Sequence, residues 1–181
     1  YASSFSKTVA PGLRVGWFVA PADLAPRLEA RAVSTYISPP FLTQATVFEL
    51  IDRGDFEPNL ERVRGLLRER RDAMRDALAA HLAGEASWSE PEGGYFLWAD
   101  LPVDAGALLE RAEAAGVTFV KGSDFFPPSG REAVPSGVSA RSRSASADLE
   151  PAQRTARFAF SYASPSEIEE GVSTLASVLR A

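Results

Sequence analysis

Residues 1–18 read YASSFSKTVAPGLRVGWF, and the reading of this stretch decides the fold. It places Ser4, Ser6, Lys7 and Thr8 ahead of a Pro11-Gly12 turn, then Arg14 at the head of an apolar run, RVGWFVA, that stops at Pro21. A short apolar run between turn signals predicts a buried strand. An arginine heading a buried strand is out of place unless an anion meets it. One loop thus offers an amine, hydroxyls and a guanidinium. Together they can hold a phosphate while the amine reaches a carbonyl, which suits covalent amine chemistry on a phosphorylated aldehyde. The plainer reading of a lone S-x-x-K is an exposed loop lysine.

Downstream of this loop the chain is punctuated clearly. Residues 22–38, ADLAPRLEARAVSTYIS, predict a helix kinked or started at Pro26, and Pro39-Pro40 break it. The same prolines start a helix over PFLTQATVFELIDRG, with Gly54 as its stop. From 58 to 82, Leu60, Val63, Leu67, Met74, Leu78 and Leu82 recur on one helical face. Arg62, Arg64, Arg68, Arg70 and Arg71 alternate there with Glu61, Glu69 and Asp72, the pattern of a solvated face. His81, near the end of this helix, reads as a surface residue favoured by the helix dipole.

A β/α alternation follows. GGYFLWADLP predicts a strand, DAGALLERAEAAG a helix closed by Gly116, VTFVKG a second strand and RFAFSYA a third. Ser164, Pro165 and Glu167 form a capping box for a last helix with Ile168, Val172, Leu175 and Leu179 along its apolar stripe. Between Pro127 and Pro151 the sequence turns to Ser, Pro, Gly and Ala, and a flexible insertion is expected at about 129–153.

Composition narrows the functions. The 181 residues carry a net charge of −5, which does not invite nucleic acid. No apolar run has the length of a membrane span. There are no cysteines and one histidine, so disulfides, thiolate nucleophiles and Cys- or His-based metal clusters are excluded, and no metal is expected. Absence of cysteine leans toward a cytoplasmic location.

SFSKTVAPGLRVGWFVAP resembles the cofactor-lysine segment of fold-type I pyridoxal-phosphate enzymes, the class I and II aminotransferases, and within them the subgroup of 2-aminoadipate and kynurenine aminotransferases. EGGYFLWADLP is similar to the glycine-glycine strand of that family's small domain. GVTFVKGSDFF is similar to a segment in which proline is common where Lys121 stands here. RFAFSYASPSEIEEGVSTLASVL is similar to the family's end. The resemblance implies that Lys7 carries pyridoxal 5'-phosphate covalently and moves the substrate proton. It implies that Ser4 and Arg14 bind the cofactor phosphate, with Ser6 part of the same loop. It implies that Arg157 grips the substrate α-carboxylate, although on sequence alone Arg157 is equally an edge-strand charge.

The implied architecture is α/β: the C-terminal part of a fold-type I transferase. Residues 1–57 would be the end of the large cofactor domain with the connecting helices, and 58–181 a small α/β domain. The family's ring-stacking aromatic and its ring-nitrogen aspartate have no place after Lys7, so a longer natural protein is expected, and a homodimer when full length. The implied activity exchanges an amino group between an α-amino acid and a 2-oxo acid. Two alternatives accompany it. One is the cofactor-binding effector domain of a winged-helix transcription regulator with the same fold. The other is an inactive truncated fragment, which would expose the apolar strand at 15–20 and the faces of the connecting helices.

Overall fold

A computed structural model describes residues 1–126 and 150–181. Most of the expected 129–153 insertion lies outside the described residues. Its last part does not continue the irregular composition: Pro151–Arg154 form a helical turn, closed by a reciprocal capping box between Glu150 and Gln153. The chain divides into two compact units, 1–65 and 66–181. None of the described helices is long and apolar enough to cross a membrane.

In the first unit, strand β1 (Ala2–Ser4) pairs antiparallel with β2 (Gly16–Phe18), Ser4 opposite Gly16. Helix α1 (Ala25–Tyr36) carries Pro26 in its first turn, where its fixed φ fits and its missing N–H costs nothing. It ends where Ile37 adopts φ 67°, a conformation a β-branched residue rarely takes, just ahead of Pro39-Pro40. Helix α2 (Phe41–Asp52) stops at Gly54, which takes φ 75° without a Cβ penalty.

The apolar run at 14–20 forms a strand, but not a buried one. Phe18 is 73% exposed, and Trp17 and Val19 also face solvent. Arg14 does not head the strand either: β2 begins at Gly16. The reason is physical. A two-stranded ribbon has no second layer to bury it, and Val47 on α2 is the one buried apolar residue of this unit. Phe41, Leu42 and Phe48 on α2 are exposed as well.

Helix α3 (Phe56–Leu82) runs through the division between the units. Its buried residues are Met74, Ala77, Leu78 and Leu82, all in its second half; Leu60, Val63 and Leu67, expected on the same face, are only partly covered. The charged face matches expectation in part. Arg64 pairs with Glu61, and Arg62 with Asn59. Arg70, however, donates to the Ser161 carbonyl (2.8 Å) and Arg71 to that of Glu92 (2.7 Å), so both stitch α3 to loops of the second unit. His81 is a partnered residue rather than a plain surface one: its Nε2 lies 2.6 Å from Glu169.

The second unit is a four-stranded antiparallel sheet, order β3-β4-β6-β5, formed by Ser87–Trp88, Phe96–Asp100, Thr155–Ala159 and Val120–Lys121 respectively. Alternation decides its two faces. Leu97, Ala99, Ala156 and Phe158 point into the core, against Leu78 and Leu82 of α3, Leu108 and Ala112 of α4 (Ala105–Ala114), and Ile168, Val172 and Leu175 of α6 (Pro165–Arg180). The register Leu97↔Phe158 and Trp98↔Arg157 then sends Phe96, Trp98 and Arg157 to the opposite face.

The helix ends follow the sequence closely. Asp104 accepts the Ala107 N–H (2.9 Å) to start α4, and Gly116 ends it at φ 85°. At α6, the Ser164 hydroxyl accepts the Glu167 N–H (3.3 Å) while the Glu167 carboxylate accepts the Ser164 N–H (2.7 Å). Ser164→Ala is expected to cost about 1 kcal/mol, read as a lowered urea midpoint with unchanged slope.

The Ser164 hydroxyl also donates to the Glu167 carboxylate (2.7 Å), and with the Ser164 N–H it holds Glu167 below its ordinary value of 4.5; Arg180, at the far end of α6, does likewise for Glu85. A carboxylate depressed in the folded state contributes stability above its unfolded value, and that stability is lost as pH falls through the folded one. Thermal midpoints of the chain are therefore expected to drop as pH falls below 4.5, and to drop less in Glu167→Gln. Asp100 acts with the opposite sign. Burial raises it despite Arg154 3.1 Å away, so its contribution is present at low pH and lost as pH rises through its elevated value.

Candidate functional site

The Lys7 loop is built by its backbone. The Phe5 N–H donates to the Val15 carbonyl (2.9 Å), closing the loop at the end of the ribbon, and the Val9 N–H donates to Phe5 (2.8 Å), winding Ser6, Lys7 and Thr8 into one turn. Two further contacts tie the turn to α3. Asn59 donates its side-chain amide to the Thr8 carbonyl (2.8 Å), and the Phe5 ring meets Phe56 edge to face at 6.0 Å. Lys7 is exposed on this fixed turn.

Arg14 closes a short 3-10 turn, Pro11–Leu13, in the left-handed region at φ 54°, ψ 35°. A non-glycine residue holds that conformation only where its surroundings impose it, and such residues cluster at functional sites. From there Arg14 reaches back across the loop and donates to the Ser6 hydroxyl (3.3 Å). The structure therefore brings Arg14 and Ser6 together on the loop that carries Lys7. Arg14 is exposed, so it is not a buried arginine awaiting an anion. The hydroxyl–guanidinium pairing rests instead on the turn. Ser4 is the last residue of β1, exposed, and no described hydrogen bond joins its side chain to Arg14. Asn59 was not a sequence candidate; no motif marks it, and only the fold brings it under Thr8.

Arg157 lies on β6, which has β4 on one side and β5 on the other, so it is not an edge-strand charge. Its guanidinium carbon sits 4.0 Å from the centroid of Phe96 and 4.6 Å from that of Phe125. Its Nε is buried without a hydrogen-bond partner, and no described carboxylate pairs with the side chain. Asp124, one residue from Phe125, is taken by Lys121 at 3.8 Å. A half-buried cation without a counter-charge is a ready anion site. Once β4 pairs with β6, strand alternation places Phe96 and Trp98 on the face of Arg157; Phe125 does not follow from it, because it arrives on a 3-10 turn, Gly122–Phe125. Among the described residues there is no cluster able to hold a metal ion.

The donor set of the first unit, an exposed amine with a hydroxyl and a guanidinium joined beside it, fits a phosphorylated aldehyde. The comparisons agree on the class. The family model for aminotransferase class I and II matches residues 1–140. Aromatic-amino-acid aminotransferase 1 of Thermococcus litoralis is 30% identical over 99% of this chain and 39% of its own length. The crystal structure of an α-aminoadipate aminotransferase from Thermus thermophilus, complexed with N-(5'-phosphopyridoxyl)-L-leucine, superposes with a TM-score of 0.82 at 32% identity. It covers 99% of this chain and 41% of that one. A helix-turn-helix-type transcriptional regulator of Bacillus subtilis is 33% identical over 72% of this chain and 27% of its own length. The chain spans between about a quarter and two fifths of these relatives.

Proposed function

The chain belongs to the class I and II aminotransferase family, and on that premise we propose that it supplies the cofactor lysine and the carboxylate-binding arginine of a pyridoxal-phosphate-dependent transaminase. The observation that carries this reading is the Lys7 turn, with the Arg14–Ser6 hydrogen bond beside the exposed amine. The similar Thermus structure, complexed with a phosphopyridoxyl amino acid, supports it.

When bound, pyridoxal phosphate supplies the electron sink that lets a proton leave the substrate α-carbon. Lys7 would be the covalent anchor, and its Nζ would take that α-proton and return it during exchange. Arg14 and Ser6, with Ser4 at the ribbon end, hold the phosphate, so that binding energy goes into orientation. Arg157 binds the α-carboxylate and discriminates against simple amines. The substrates are an α-amino acid and a 2-oxo acid. The exposed apolar residues of β2 and α2 fit a surface covered by further polypeptide or a second subunit, in keeping with a homodimer.

The similarity to a transcriptional regulator favours a second reading, in which the same lysine loop holds the cofactor as a sensed ligand. Both readings need the attachment. The test is reduction of the 181-residue chain with borohydride after pyridoxal phosphate, followed by intact mass and peptide mapping. The chain has only two lysines, Lys7 and Lys121, which makes Lys121 an internal control. One adduct on Lys7 is the expected result. Equal labelling of both lysines would remove the support for Lys7. Amino-group exchange with a 2-oxo acid then separates the enzyme from the sensor.

A further inference from the structure

Binding an α-carboxylate needs a cation; it does not need two aromatic rings against that cation. Phe96 is 39% exposed and Phe125 is 46% exposed, so neither ring sits where it does to complete the core. Both lie against the Arg157 guanidinium. Trp98, the cross-strand neighbour of Arg157, meets Phe125 edge to face at 5.5 Å and braces that ring. Nε is buried and without a hydrogen-bond partner, and no described carboxylate pairs with the guanidinium.

We propose that Phe96 and Phe125 are positioning residues that hold the Arg157 guanidinium in one orientation and leave its in-plane edge for the ligand, so that the site selects planar carboxylates over tetrahedral anions. This rests on the reading of Arg157 as the carboxylate site. Two effects combine. The rings attract the cation through their faces and remove rotamers that a free arginine would lose on binding, so less ordering is left for the ligand to cause. A carboxylate accepts two parallel in-plane hydrogen bonds from a guanidinium. A phosphonate accepts the same two, but its third oxygen projects out of the plane, toward the space the rings occupy.

The experiment follows the Arg157 Nε–H resonance of the 181-residue chain by ¹⁵N NMR during titration with acetate and with methylphosphonate. Arg157→Gln identifies the resonance and tests the underlying reading. The expected result is saturable acetate binding that is tighter than methylphosphonate binding. Phe96→Leu and Phe125→Leu should each weaken acetate about 3- to 10-fold and narrow the gap between the two anions. Phe125→Tyr, which keeps a ring face, should restore both. Thermal midpoints confirm that the variants are folded; should Phe96→Leu unfold, Phe125→Leu and its tyrosine counterpart carry the test. Leucine variants with wild-type affinity and selectivity would overturn the positioning role and leave Arg157 as the carboxylate site. Acetate binding that persists in Arg157→Gln, or no saturable binding by the wild-type chain, would overturn the reading beneath it and this proposal with it.

Discussion

Replacing Lys7 with alanine is expected to abolish amino-group exchange by the protein that carries this chain. A positioned proton-transfer group alone contributes about 10²- to 10⁴-fold, and Lys7 is proposed as the covalent anchor too, so the loss should reach the detection limit of a coupled 2-oxo-acid assay. The variant leaves the backbone contacts of the turn in place. Its backbone is held by the Val9–Phe5 and Phe5–Val15 hydrogen bonds, by Asn59 on the Thr8 carbonyl and by the Phe5–Phe56 ring contact. A thermal midpoint measured alongside separates lost chemistry from lost fold. Lys7→Arg keeps the positive charge and loses the reactive amine, and should be as inactive as alanine. Normal turnover in Lys7→Ala would remove the chemical reading of the whole opening loop.

What the sequence made legible follows from which forces act locally. Caps and stops depend on a few neighbouring residues, so Ser164 with Glu167, Asp104 and Gly116 could be placed from the sequence and stand where expected. The two five-residue strands, β4 and β6, and the helices of the second unit also follow from periodicity, because one face of each packs on the others. Burial is a different kind of property. RVGWFVA reads as a buried strand because its residues are apolar, yet burial needs a partner layer, and β1 alone does not supply one. The left-handed conformation of Arg14 was equally unreadable, since arginine carries no local preference for it and the turn at Pro11–Leu13 imposes it. Around Arg157, alternation exposes Phe96 and Trp98 as neighbours, whereas Phe125 depends on how closely a later turn approaches β6.

That approach depends on a missing Cβ, and it leads to the second large effect: Gly122→Ala should destabilise the second unit. Gly122 is buried where β5 passes into the 3-10 turn that carries Phe125. A β-carbon there would fall inside the Thr155 hydroxyl and lie 2.8 Å from both the Thr155 Cβ and its carbonyl oxygen. Thr155 has little room to yield. It is 6% exposed, pairs with Asp100 across the sheet, and donates its hydroxyl to the Pro151 carbonyl at 3.0 Å. The backbone must therefore move, at a cost of about 1–3 kcal/mol as for other overpacked cores, read as a lower urea midpoint. Thr155→Ala added to Gly122→Ala should recover only part of the loss, because it removes the hydroxyl but leaves the carbonyl and Cβ in place. Gly171→Ala is the control. It sits inside α6 with nothing within 4 Å of an added Cβ, so the same substitution should stabilise by about 0.5–1 kcal/mol. Opposite signs for the two glycines would attribute the Gly122 effect to the Thr155 contact rather than to backbone freedom. A neutral Gly122→Ala would mean that the turn can shift without cost, and Phe125 could not then be held over Arg157 by that contact.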